Sequence, residues 1–120
     1  HLFKEGSWIK IEGLKMVYEL QQGEGNYQVA FSVPKKKTKK AVDRNRLKRL
    51  LREGFRKNKG TLDQELKKEG IDCQIMFIFG KMNNPTAKEV EEKIILILDR
   101  LRETLQEEAT QSRDDPEKGT

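Results

Sequence analysis

Five arginines, Arg44, Arg46, Arg49, Arg52 and Arg56, crowd one short stretch of the chain. A guanidinium group is a planar fork of N–H donors that matches phosphate oxygens two at a time, so this spacing suits gripping a polyphosphate. From Lys35 to Lys57 there are 12 basic side chains against two acids, Asp43 and Glu53, a local net charge of +10. The other residues hold 13 basic and 18 acidic side chains, so the formal net charge of +5 is a strongly basic segment in a mildly acidic chain. A helix face built only for solubility would mix Glu with Lys to gain i, i+4 pairs. Arg44 and Arg46 at a helix start also oppose the macrodipole, and a bound anion would offset that cost.

Little else in the chain can do chemistry. His1 is the single histidine and Cys73 the single cysteine, so no zinc site of thiolates and imidazoles is available and no Ser/His/Asp or Cys/His set is expected. Asp43 and Glu53 stand ten residues apart, whereas a two-metal nuclease needs several convergent acids. No catalytic residue and no protein-held metal are expected. Cys73 lies in the apolar run Ile71–Phe79 and reads as a small buried hydrophobe.

Positioning the basic segment requires a folded domain, and 120 residues suffice for one. Leu, Ile, Val and Phe make up 25% of the chain, above the roughly 20% that marks disorder. No apolar run approaches the roughly 20 residues of a membrane span and no signal-peptide pattern opens the chain, so a cytoplasmic protein is expected. The first residue is not Met, and His1 reads as a remnant of processing or of cloning.

The elements follow from periodicity. Leu14, Met16, Tyr18 and Leu20 alternate with other residues, as do Tyr27, Val29, Phe31 and Val33, which predicts two half-buried strands. The link Gln22–Asn26, with Gly23 and Gly25, predicts that they pair as an antiparallel hairpin. Trp8, Ile9 and Ile11 are read as continuing the first strand, with Gly13 as a bend. Pro34 ends the second strand, and a helix is expected from Asp43 as N-cap with Val42 as hydrophobic staple. Its apolar arc is Leu47, Leu50, Leu51, Gly54 and Phe55, and Arg44, Lys48, Arg49, Arg52 and Arg56 fall on an adjoining arc.

Thr61 with Gln64 predicts a capping box for a short helix Leu62–Glu69, and Thr86 with Glu89 a second one. The nearly unbroken apolar run Ile71–Phe79 predicts a strand covered on both faces. Val90, Ile94, Ile97, Leu98, Leu101 and Leu105 form the stripe of a long amphipathic helix. The whole is an α+β protein, a two-layer α/β sandwich with a mixed sheet of about four strands and at least one parallel pair. Residues 1–110 form its single domain and 111–120 a disordered tail.

The stretch FSVPKKKTKKAVDRNRLKRLLREGFR, Phe31 to Arg56, closely resembles the signature of the protein subunit of bacterial ribonuclease P. That family has an Arg-Asn-Arg helix preceded by a Ser-Val-x-Lys-Lys strand end. The resemblance implies a left-handed βαβ crossover, against the right-handed rule. It implies that Lys35, Lys36, Arg44, Asn45, Arg46, Lys48, Arg49 and Arg52 meet the catalytic RNA; Lys39, Lys40 and Arg56 extend the same RNA-binding surface. It implies a cleft for the single-stranded 5′ leader of precursor tRNA, with Phe3, Tyr18, Phe31 and Ser32 beside it. For Phe3 and Tyr18, stacking on bases competes with ordinary core packing. Family members carry more helix before the position of Phe3, and Pro34 stands where Ser is common.

The leading expectation is a protein cofactor of a ribozyme, an endoribonuclease that matures tRNA 5′ ends. The RNA performs the cleavage with Mg2+ that it mainly holds itself, and the protein joins it as a monomer in a 1:1 complex. The alternative is a general RNA-binding module, a ribosome-associated protein or RNA chaperone using the same basic helix. A third reading is a protein-interaction domain with its basic helix on an acidic partner. The acids Glu91, Glu92, Glu103, Glu107 and Glu108 make the last helix an unsuitable RNA surface.

Overall fold

The structure, a computed structural model, describes the backbone of residues 6–36 and 38–119, with side chains to residue 107. Phe3 therefore lies outside the described residues. In chain order the elements are β1 (Ser7–Ile11), β2 (Leu14–Gln22), β3 (Tyr27–Ser32), α1 (Ala41–Asn58), α2 (Gly60–Glu69), β4 (Ile71–Phe79) and α3 (Ala87–Gly119). The sheet order is β1-β2-β4-β3, with β1–β2 and β2–β4 antiparallel and β3–β4 parallel. The helices cover one face of this mixed sheet, as an α+β sandwich requires.

The alternation in β2 and β3 produces strands, but they do not pair with each other. β4 inserts between them, so the expected hairpin is a connection that spans the width of a strand. Periodicity reports which side chains share a face and is silent on which strand lies alongside. Trp8, Ile9 and Ile11 likewise form a separate edge strand that folds back on β2 through Glu12 and Gly13 rather than extending it.

Asp72 shows what the insertion of β4 does. From the start of β4 its Oδ1 accepts hydrogen bonds from the backbone N–H groups of Glu24, Gly25 and Asn26, at 3.0, 3.1 and 2.9 Å. These amides, Asn26 first, hold the Asp72 carboxyl below the usual carboxylate range. Gly25 is required beside it: its φ is +94°, and a Cβ there would stand 2.6 Å from the Lys67 Cα. A folded-state pKa below the unfolded one contributes stability that is present above the unfolded value and lost as pH falls through the folded value. Asp72→Asn is thus expected to lower the melting temperature near neutral pH. That deficit should close as pH falls through and below the ordinary carboxylate range, where the wild-type carboxylate protonates. A melting-temperature difference that stays constant across this range would show that the carboxylate charge does not fasten the link.

α1 begins at Ala41, with Lys40 in the N-cap position and no side-chain cap. Val42 is 71% exposed, so it forms no staple, and Asp43 sits in the first turn, where it favours the macrodipole instead of capping. α2 starts one residue after Lys59, which is itself in the right-handed helical region, so Thr61 caps nothing. A chain that continues in helical geometry leaves no exposed first turn for a capping box to satisfy. The second box does form: Glu89 N–H donates to Thr86 Oγ1 at 3.1 Å and Thr86 N–H to Glu89 Oε1 at 2.8 Å.

All six residues of the α3 stripe, from Val90 to Leu105, are buried, with Leu47, Leu51 and Phe55 of α1. Gly54 lets α1 and α3 approach, since a Cβ there would already be 3.4 Å from the Glu91 Cα. The helical backbone of α3 runs to Gly119, over the residues read from the sequence as a tail. β4 corrects its expectation: Ile71, Cys73, Ile75, Phe77 and Phe79 are buried, but Gln74 and Met76 are exposed. Its other face is uncovered, because all three helices pack on the same side. Cys73 is buried as expected, and desolvation pushes its thiol up to about 12, which leaves it without thiolate reactivity at neutral pH.

Candidate nucleic-acid interface

α1 turns its apolar arc to the sheet through Phe55, whose ring meets Tyr27, Phe31 and Phe77 edge-on at centroid distances of 5.7, 6.1 and 5.7 Å. The opposite arc is left to solvent, and there Asn45, Arg49, Arg52 and Arg56 are exposed while Arg44, Arg46 and Lys48 are half-buried. Lys35, Lys36, Lys39 and Lys40 in the preceding loop are exposed too. The structure thus brings the sequence-predicted cations to one helix face and its lead-in.

Their roles differ. Arg44 Nη1 donates to the backbone carbonyls of Thr38 and Lys39, at 3.0 and 2.7 Å, and stitches the lysine-rich loop onto the helix. Arg46 Nη2 donates to the Pro85 carbonyl at 2.8 Å and fixes the loop before α3. Between these segments lies a groove of about 420 Å3, lined by Lys39, Lys40, Asp43, Arg46, Asn83 and Asn84 among others. Arg56 is engaged with Glu53 at 3.0 Å. Arg49 and Arg52 make no hydrogen bond or ion pair among the described residues, so their full forks face solvent. Salt screens such exposed charges, and contacts to them are correspondingly salt-dependent.

Of the two acids in the basic segment, Glu53 is held by an arginine. The Arg56 hydrogen bond and charge hold the Glu53 carboxyl below its usual range, engaged with a cation. Among the described residues no group of three or more His, Cys, Asp and Glu side chains is placed to ligate a metal.

The expected aromatic cleft residues separate. Tyr18 is 4% exposed and shares the helix-covered face with Leu14, Met16 and Leu20, so its ring is core and unavailable for stacking on a base. Phe31 is on that same covered side, stacked on Phe77 at 5.6 Å and 8° between planes. Parity explains both: residues two apart in a strand share a face, and the apolar sets that include them are the ones the helices cover. Ser32, one residue on, faces the other way, toward the open side.

That open side is the feature missed in the sequence. It is a shallow trough of about 360 Å3 lined by Val17, Glu19, Gln28, Ala30, Gln74 and Met76 among others. Trp8 stands beside it, 59% exposed, and Met76 is 43% exposed. The signal was present, since Trp8 has the opposite parity to Ile9 and Ile11, but treating residues 8–11 as an extension of β2 hid it.

Known proteins are similar to this chain in sequence and in fold. A family model described as Ribonuclease P matches residues 1–102. The chain is 36% identical over 95 residues to a ribonuclease P protein component of Porphyromonas gingivalis, covering 75% of this chain and 67% of that one. It is 34% identical over 105 residues to the ribonuclease P protein component of Chlorobium phaeobacteroides, covering 82% and 72%. The solved structure of the Staphylococcus aureus RNase P protein superposes with a TM-score of 0.60 at 19% identity, over 80% of this chain and 81% of that one, which speaks for the fold.

Proposed function

This chain belongs to the ribonuclease P protein family, and on that premise we propose that it binds the catalytic RNA of a bacterial ribonuclease P and the 5′ leader of precursor tRNA. The observation that carries this reading is the solvent-facing arc of α1, with the unengaged forks of Arg49 and Arg52 beside an exposed lysine-rich loop. Arg49, Arg52, Lys48, Asn45 and the loop lysines Lys35, Lys36, Lys39 and Lys40 grip phosphates of the folded RNA. Arg44 and Arg46 do so with the N–H groups left over after they have bonded Thr38, Lys39 and Pro85. Phosphate contacts of this kind position a protein without reading sequence.

The leader lies on the open face of the sheet, next to Ser32 and the strand end that leads into the lysines. The protein supplies binding and orientation, and the RNA supplies the reacting groups together with the Mg2+ it holds. This division of labour is supported by a basic helix that carries just two acids, Asp43 and Glu53, the second of them bound to Arg56. The protein acts as one copy per RNA in the bacterial cytoplasm. No helix among the described residues is long and apolar enough to cross a membrane.

Reconstitution tests the reading. Added to ribonuclease P RNA at Mg2+ too low for the RNA alone, the protein is expected to restore removal of the 5′ leader, and protein without RNA to cleave nothing. Metal-dependent cleavage by protein stripped of RNA would overturn it. Equal binding to unrelated RNAs with no rescue would instead favour a general RNA-binding module.

A further inference from the structure

The strand register aligns the open face into three cross-strand rows. The first is Lys10–Lys15–Ile78–Ser32, the second Trp8–Val17–Met76–Ala30, and the third Glu19–Gln74–Gln28. Successive rows are about 6.7 Å apart along the strands, and four strands span about 14 Å across. The rows differ in chemistry. The first begins with two lysines and ends at Ser32, from which the chain runs through Pro34 into the exposed Lys35 and Lys36. The second is apolar and carries the exposed indole. The third offers a carboxylate and two amides, which can bond the donors and acceptors of a base edge.

The same order continues outward: Asp72 and Glu24 lie past the third row, so charge on this face grades from basic to acidic along the strands. A phosphate backbone is favoured on one margin only. Lys15 Nζ stands 5.1 Å from the centroid of the Trp8 ring, which places a cation against the aromatic surface where a stacked nucleotide would bring its phosphate. Four-stranded sheets that stack two or three unpaired bases on exposed side chains are a recurrent RNA-binding arrangement.

We propose that Trp8 is the base-stacking anchor for unpaired RNA crossing this sheet, with the sugar-phosphate chain over the lysine row and the base edges toward Glu19, Gln74 and Gln28. The occupant is single-stranded RNA because charge, apolar surface and hydrogen-bonding groups appear in the order in which a nucleotide presents phosphate, ring and edge. This deepens the leader-binding reading above and rests on it. Trp8 is a positioning residue for the leader and takes no part in cleavage.

Trp8 is also the single tryptophan of the chain, so its intrinsic fluorescence reports on this face without a label. In the complex with ribonuclease P RNA, a precursor tRNA bearing an unpaired leader is expected to quench that fluorescence, and mature tRNA to leave it unchanged. Trp8→Ala should weaken binding of the leader-bearing substrate by about five- to a hundredfold, with mature tRNA affinity and cleavage at saturating substrate unaltered, and Trp8→Phe should restore most of the loss. Wild-type precursor affinity in Trp8→Ala would overturn the proposal. Equal quenching by mature tRNA would do so as well, by assigning Trp8 to the tRNA body.

Free protein with oligouridine separates this from failure of the ribonuclease P reading, because quenching is expected there even if reconstitution fails. Sedimentation of the free protein checks the competing occupant. Self-association that disappears in Trp8→Ala while oligouridine binding persists would give the face to a second copy of the chain.

Discussion

Replacing Arg49 and Arg52 together by alanine is expected to weaken binding to the catalytic RNA by roughly a hundredfold or more while leaving the melting temperature nearly unchanged. Each guanidinium is free of other bonds among the described residues, so its whole hydrogen-bonding capacity is available to phosphate. For the same reason its removal takes nothing from the fold beyond the roughly 0.5 kcal/mol usual at exposed sites. The salt dependence is the sharper readout. Losing two phosphate contacts should reduce the slope of log affinity against log salt by about 1.4 to 1.8. Arg44→Ala and Arg46→Ala should behave differently, losing stability as well as affinity, because each also fastens a loop through backbone carbonyls. Filter binding across a salt series, with thermal melts of the free protein, separates the two classes. A double variant that binds with wild-type affinity and slope would place the RNA on another face.

Phe77→Ala should have the largest effect on stability, about 3–5 kcal/mol. Phe77 is fully buried in the central strand β4, stacked on Phe31 and edge-on to Phe55, so its ring joins two strands and a helix. A domain of this size has only about 5–15 kcal/mol in total, and the melting temperature should fall by on the order of 10–25 °C. The loss also reaches function, because Phe55 is a contact that, with Leu47 and Leu51, seats α1 and aims the basic arc. RNA affinity should therefore fall in Phe77→Ala although the side chain is remote from the surface, and recover in part in Phe77→Leu, which refills most of the cavity. Urea unfolding followed by circular dichroism measures the stability change. An unfolding free energy within 1 kcal/mol of wild type, taking that as roughly the error of such measurements, would mean that the ring cluster is not the keystone of the sheet.

Much of the candidate site was legible because it is local. The arginines are close in sequence, a helix places them on one arc by its own geometry, and the apolar arc of Leu47, Leu51 and Phe55 fixes the opposite face. The same holds for the α3 stripe and for the capping box at Thr86. Where local signals competed they misled: Val42 was apolar and rightly spaced for a staple, and Thr61 and Gln64 were rightly spaced for a box. Neither formed, because α1 starts two residues earlier and α2 follows it almost without a break.

By itself, then, the sequence determined the helix and strand types, the apolar side of β2, β3, α1 and α3, the basic helix face and the family signature that names its partner class. Each of these depends on spacings of a few residues. The tertiary structure decided which strands are neighbours and which sheet face is left bare. Inserting β4 between β2 and β3 makes pairings between residues 46 to 65 apart in the chain, and period-two alternation is identical whichever strands pair. Packing all three helices on one side then sent Tyr18 and Phe31 into the core and left Trp8 in the open. Stacking and burial draw on the same aromatic side chains, and only the direction each strand face points in the assembled sheet distinguishes one use from the other.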